Sequence, residues 1–274
     1  MKGGLVLGLH ALEVLTQLGA APAWGFVLNG DEETGSFCSD HALRQIAGQF
    51  DVGLALEPAM ANGGLVTHRP GSGQFLIEVR GRAAHVGRDF ASGVSAVNAL
   101  ATCVTRVAAL ADAPRGIIAS VGPISGGHAT NVVPDLARAW GNIRFPTPQI
   151  GQELAAKLKD LASPGTPDTT LAQGHAHISV EVILNRPAKP LTPSTQSLAA
   201  LAQSVAADVG LTLPLGTTGG VCDGNNLQAA GLACIDTLGV MGGGLHTTDE
   251  WADLATLSAR GTLLAIVMLR ASAT

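Results

Sequence analysis

Asp31-Glu32-Glu33 follows a short apolar run, Trp24 to Leu28, and sets carboxylates side by side. One such carboxylate can hold a metal ion while its neighbour takes a proton from the metal's water, the two roles a hydrolytic metal site requires. Read alone, such a triplet is more often an ordinary solvated acidic turn. Glu57-Pro58 ends a second apolar run, Val52 to Leu56, and places another carboxylate at a strand end. His246 comes just after Gly242-Gly243-Gly244. Glycines let the backbone approach a site closely, and neutral imidazole is a common zinc ligand. His175 and His177 alternate so that both would face one side of a strand and could bind metal, though a solvent-facing pair at a strand start is the commoner case, whereas His10, His41, His68 and His128 stand singly. Cys222 beside Asp223 offers a thiol as nucleophile, but no base accompanies it, and Asp223-Gly224-Asn225-Asn226 reads as a turn that starts a helix.

These residues need elements to position them. Leu5, Leu9, Leu12, Leu15 and Leu18 recur at three- and four-residue intervals before Gly19, which predicts an amphipathic helix with a glycine stop. A strand over Trp24 to Leu28, a helix over Ser39 to Ala47 and a strand over Asp51 to Leu56 follow. This alternation predicts an α/β fold with a mostly parallel sheet and helices on both faces, in which functional residues collect in loops after strand C-terminal ends. Both acidic motifs fall in such loops. From Gly73 to Arg186 the pattern changes to strand (Gln74 to Val79), helix (Val94 to Ala111), strands (Gly116 to Ile124, Leu136 to Phe145), helix (Gly151 to Leu161) and strand (His177 to Leu184). That β-α-β-β-α-β order is the split βαβ signature of a ferredoxin-like α+β domain. Pro70-Gly71-Ser72-Gly73 and Arg186-Pro187-Ala188-Lys189-Pro190 punctuate its ends. The expected division is therefore 1–72 with 187–274 as the main domain and 73–186 as an inserted one. A helix over Ser194 to Val209 resumes the main domain. Thr247-Thr248-Asp249-Glu250 has capping-box spacing ahead of a closing leucine-rich helix to Arg270.

Composition narrows the class. The chain has 274 residues, 46% of them hydrophobic, no Tyr and a formal net charge of -5. With no run of Lys or Arg, the clustered cations that bind phosphate backbones are missing, so a small molecule is a better partner than nucleic acid. The apolar run Leu263 to Leu269 is far short of the roughly 18 residues that suggest a membrane span. Cys38, Cys103, Cys222 and Cys234 form no C-x-x-C pair, which fits reduced thiols in a cytoplasmic protein.

The strings MKGGL, VLNGDEETGS, LALEP, GRAAHVG, GGHATNVVPDLARAWGNIRF, GGVCDGNN and LHTTDEW occur in the order and spacing of a known family. Over essentially all 274 residues the chain resembles the aminoacylase, succinyl-diaminopimelate desuccinylase and glutamate carboxypeptidase family of zinc hydrolases. The resemblance implies a zinc-exopeptidase-like main domain and an inserted lid and dimerisation domain. It implies Glu32 as general base, Glu33 and His246 as ligands of one metal, and Glu57 as a ligand of the second. Two zinc ions, or cobalt or manganese in their place, would clamp one water. His85 resembles the lid histidine that reaches into the partner subunit's site and stabilises the oxyanion, which requires a homodimer through the inserted domain. Asn131 and Arg144 match substrate-orienting positions, and a guanidinium suits a bidentate carboxylate contact.

In that family a His-x-Asp motif lies upstream, and a bridging aspartate directly precedes the Met-Lys-Gly-Gly string, where Met1 stands here. The resemblance thus leaves Glu33 and His246 on the first metal and Glu57 alone on the second. Catalytic zinc takes three protein ligands and a water, so weak or absent metal binding is the expectation for these 274 residues, together with an unpaired sheet edge and exposed apolar surface. The expected function is hydrolysis of an amide bond next to a free carboxylate, in an N-acyl amino acid or a peptide. Its competitor is a non-catalytic dimerising scaffold or binding module.

Overall fold

A computed structural model describes residues 2–20, 23–163, 170–171 and 174–272. The chain divides into two compact units, Met1–Arg69 with Lys189–Thr274, and Pro70–Ala188. In the first unit, α1 (Lys2–Gln17) is the expected amphipathic helix but buries Leu7, Ala11, Leu12 and Leu15; of the leucines that suggested its apolar stripe, Leu12 and Leu15 are buried while Leu9 and Leu18 are exposed. Gly4 permits close approach: a Cβ there would lie 2.2 Å from the carbonyl oxygen of Leu56. Then come α2 (Asp40–Ala47), β1 (Val52–Leu54) and β2 (Leu65–His68).

The second unit runs β3 (Gly71–Arg80), α3 (Val86–Asp89), α4 (Ala96–Ala108), β4 (Ile118–Gly126), β5 (Leu136–Phe145), α5 (Pro148–Lys159), a two-residue hairpin of β6 (Thr170–Leu171) and β7 (Gly174–His175), and β8 (His177–Arg186). Its sheet has the order β4-β5-β3-β8 with every pair antiparallel. With α4 and α5 this is the ferredoxin-like arrangement. Alternate residues Phe75, Ile77 and Val79 of β3 and Ala137, Ala139 and Ile143 of β5 meet Leu100, Cys103 and Val107 of α4 and Leu154 and Leu158 of α5. Ser95 and Thr147 fix the helix starts, each hydroxyl accepting the amide three residues on, from Asn98 at 3.2 Å and Ile150 at 3.3 Å. His175 ends β7 and His177 begins β8, with buried Ala176 between, so the two histidines do not share a strand.

The first unit resumes with α6 (Pro193–Asp208), β9 (Leu215–Thr217), α7 (Asp223–Ala229), β10 (Ala233–Ile235), the hairpin β11 (Gly242–Gly243) and β12 (Trp251–Ala252), and α8 (Leu257–Ala271). Strands β1 and β10 pair parallel, as do β2 and β9. The parallel sense is as expected, but the described strands form separate two-stranded pieces instead of one wide sheet. Trp24–Leu28 is extended without a ladder partner among the described residues, so it is not a strand. The closing helix also differs. Residues 244–250 are the loop of the β11–β12 hairpin, where Thr247 donates to the Gly244 carbonyl at 2.7 Å and accepts from the Asp249 amide at 3.2 Å. The apparent capping box is a hairpin turn, and Asp253 caps the 3-10 turn that leads into α8. The stretch Leu254–Ala271 is long and apolar enough to cross a membrane by length and composition. Leu263, Leu264 and Val267 instead join Leu7, Leu15, Leu198 and Val205 in the unit's core.

Ile77 is fully buried at the centre of β3, so Ile77→Ala removes packed methylenes and leaves a void. The expected loss is about 2–5 kcal/mol, read as a lower urea midpoint with unchanged slope.

Candidate functional site

Glu32 and Glu33 sit on a single 3-10 turn, Glu32–Thr34. Asp31 accepts the backbone amides of Cys38 at 2.8 Å and Ser39 at 3.3 Å. Ser36 is buried with φ +53°, a conformation unusual for a residue with a side chain. Its hydroxyl donates to Asp223 Oδ1 at 2.6 Å, and Asn29 Nδ2 donates to Asp223 Oδ2 at 2.6 Å. Asp223 therefore ties both ends of the acidic loop to the start of α7. Sequence reading passed over this role: Asp223 correctly marks a helix start, but nothing local signals its distant partners.

His246 Nε2 lies 3.4 Å from Glu33 Oε2, both side chains being exposed. The histidine has φ +63°, reached through Gly244 at φ +68°. Glu32, Glu57 and Asp223 line one cleft of about 480 Å³, walled by Trp24, Phe26, Leu43, Phe50 and Leu232. Burial pushes the half-buried Glu57 carboxyl up from the ordinary range; Arg69 pulls it down, while Asp236 and Glu33 raise it further. The four candidates of the first unit are thus gathered: Glu33 touches His246, Glu32 shares a cleft with Glu57, and Glu57 feels the charge of Glu33. Among the described residues, however, no three His, Cys, Asp or Glu side chains are grouped to hold a metal ion. The donors fall short of a three-ligand site.

The candidates of the second unit divide into two places. His85 and Val132 form an isolated antiparallel bridge, and the Val86 amide donates to the Asn131 carbonyl at 2.9 Å, so exposed His85 and exposed Asn131 are neighbours. His85 Nδ1 accepts the Gly87 amide at 3.1 Å. Arg144 stands near the other end of β5, opposite Ser72 and Ile118, whereas Leu136, at the end towards Asn131, pairs with Arg80. At the usual strand rise, Leu136 and Arg144 are about 26 Å apart. Burial lowers the Arg144 guanidinium's pKa, and its Nη1 is buried without a hydrogen-bond partner. One copy of this unit therefore cannot bring His85 and Arg144 to the same small molecule.

Behind the cleft, Asp236 accepts Arg69 Nε at 3.0 Å, Arg69 Nη2 at 2.7 Å and Lys189 Nζ at 3.1 Å, all three side chains being buried. Cys222 Sγ is 3.9 Å from Asp236 Oδ2. Burial, reinforced by Asp236, holds the Cys222 thiol well above its ordinary range, and burial pushes Cys234 to about 12. A protonated, fully enclosed thiol is no nucleophile. All four cysteines are free, and only Cys38 is exposed.

Residues 67–170 match the family model of the peptidase dimerisation domain, M20_dimer. Carboxypeptidase G2 of Pseudomonas sp. (strain RS-16) is 26% identical over 265 residues, covering 94% of this chain and 62% of that protein. Succinyl-diaminopimelate desuccinylase of Granulibacter bethesdensis is 29% identical over 244 residues, covering 82% of this chain and 61% of its own. The fold is shared with aminopeptidase PepT of Bacillus cereus, at TM-score 0.82 and 23% identity over 100% of this chain and 71% of that one. It is shared also with a dinuclear metal-binding peptidase of Bacillus subtilis, at TM-score 0.71 and 16% identity over 97% and 70%. The fold is that of the M20 metallopeptidases. In sequence the chain is similar to carboxypeptidase G2 and succinyl-diaminopimelate desuccinylase, and it spans less than two thirds of the length of these two relatives.

Two outcomes follow from the buried groups. Asp236→Ala leaves two enclosed cations unpaired and should cost about 3–5 kcal/mol of stability, measured by denaturant unfolding. A thiol reagent at pH 8 should titrate Cys38 alone in the folded chain and all four cysteines in denaturant.

Proposed function

We propose that this chain supplies the general base and part of the metal-ligand set of a hydrolase that cleaves an amide bond next to a free carboxylate. The substrate class is an N-acyl amino acid or a peptide. The contact between Glu33 and His246, beside Glu32 and above Glu57's cleft, carries this reading. The match to the peptidase dimerisation domain supports it, as do the names of the relatives. Glu33 and His246 are assigned to one divalent ion and Glu57 to a second, zinc in each case, with cobalt or manganese able to replace it. Such ions supply Lewis acidity, but the described donors do not complete their coordination.

The chain's own residues then divide the work. Glu32 takes a proton from the attacking water and returns it to the leaving amine. Arg144, with a buried unpartnered Nη1, binds the substrate carboxylate in the manner guanidinium favours. His85 donates from Nε2 to the developing oxyanion, and Asn131 orients the acyl group beside it. Because His85 and Arg144 stand at opposite ends of one sheet, a complete site takes them from two copies of the chain, which the dimerisation-domain match supports. The free thiols support a cytoplasmic setting.

In the native gene product loaded with zinc, Glu32→Gln should lower kcat about 10²–10⁴-fold on the best N-acyl amino acid or dipeptide, with KM little changed and metal content intact. Wild-type turnover by that variant would remove Glu32 from its role. No hydrolysis by the unaltered protein across a broad panel would leave the dimerising scaffold as the reading.

A further inference from the structure

Arg260, in the first turns of α8, is 5% exposed, yet among the described residues no carboxylate bonds it. Each hydrogen bond it makes ends on a backbone carbonyl: Nε on Gly239, Nη1 on Gly63 at 2.9 Å and Nη2 on Thr237 at 2.8 Å. Burial without a counter-charge pulls its pKa down to about 10. Proteins rarely bury a cation in this way, because desolvation is normally offset by an ionic partner. The carbonyls it holds are therefore informative.

They belong to two segments. Residues 55–64 carry Glu57, and residues 236–246 lead to His246. The segments are laced together by the Leu238 amide on the Ala55 carbonyl at 3.3 Å, the Gly239 amide on the Glu57 carbonyl at 2.8 Å and the Ala59 amide on the Val240 carbonyl at 3.0 Å. The lacing is tight, since a Cβ on Gly239 would lie 2.6 Å from the Glu57 carbonyl oxygen. It also passes through a strained residue. Thr237 is β-branched and has φ +65°, a conformation that costs free energy and persists only where its surroundings impose it. Arg260 Nη2 grips that residue's carbonyl.

We infer that Arg260 is a positioning residue: its guanidinium clamps Thr237, Gly239 and Gly63 so that the Glu57 backbone and the root of the His246 loop are presented as one rigid piece. This rests on reading Glu57 and His246 as site residues. The clamp itself stands on the hydrogen bonds alone, so it can be tested without metal or turnover.

The test uses the full chain with Arg260→Met, which keeps the stem and removes the donors, and Arg260→Lys, which keeps the charge and can satisfy fewer carbonyls. Amide exchange is followed at Gly239 and Ala59, with Ile77 and Ile143 of the second unit as internal controls. In Arg260→Met, exchange at Gly239 and Ala59 should rise at least about tenfold while the controls are unchanged, the signature of local opening; Arg260→Lys should fall between. Unchanged exchange at those two amides in either folded variant overturns the clamp. In the native gene product, kcat should fall about a hundredfold with KM little changed, as misplaced catalytic groups cause. Faster exchange with full kcat would overturn the positioning role and leave only a structural staple. Absence of hydrolysis in the unaltered protein would instead count against the proposed function, and the exchange measurement would still decide the clamp.

Discussion

Asp236 is the group on which the arrangement of the first unit turns. It is fully buried and accepts from Arg69 and Lys189, the residues at which that unit gives way to the insertion and resumes after it. The same two residues exchange backbone hydrogen bonds at 2.9 and 3.0 Å. A carboxylate and a two-bond bridge thus close the base of the insertion, and closure entropy grows only slowly with the length of chain enclosed. Lys189 also donates to the carbonyls of Val66 and Thr67, which fixes β2 beside the end of β10. The half-buried Glu57 feels both signs of this group, since Arg69 pulls its carboxyl down and Asp236 raises it, while burial keeps it above the ordinary range. The residue after Asp236 is Thr237, from which the backbone lacing to Glu57 begins. One buried charge therefore sets the closure of the insertion and the starting point of the loop that ends at His246.

Legibility in the sequence tracks how local each cause is. The second unit could be read nearly element by element, because alternation in β3 and β5, hydroxyl caps at Ser95 and Thr147 and Pro-Gly punctuation all act within a few residues. The first unit was read for helices and parallel sense, but not for strand pairing, since Trp24–Leu28 has a strand's composition and no described partner. Thr247 to Glu250 satisfied a capping pattern that lost to a hairpin in which Gly242 pairs with Ala252 and Gly243 with Trp251. Asp223, Arg260 and the Arg69-Asp236-Lys189 group gave no signal, because each gains its meaning from residues far along the chain. Of the candidate site, the meeting of Glu33 and His246 was readable only through the order of motifs, as no spacing joins them.

The distribution of strain separates the units further. Among the described residues, the non-glycine positions with positive φ are Ser36, Thr237 and His246, all in the first unit and all in segments that carry site candidates. Each has an identifiable hold: Asp223 on the Ser36 hydroxyl, Arg260 on the Thr237 carbonyl, and Glu33 beside the His246 ring. Such conformations persist only where the surroundings over-determine them. The first unit thus fixes its carboxylates and imidazole by local strain and specific partners.

The second unit works by the opposite means. Its ten-residue strands are regular, and its candidates His85 and Asn131 sit on connections at the sheet's end, where a rigid scaffold can present side chains to a partner. His85 accepts the Gly87 amide at Nδ1, which places its ring proton on Nε2, the nitrogen left to point outward. The hydrogen bond that caps a four-residue helix therefore also decides what the exposed nitrogen can do.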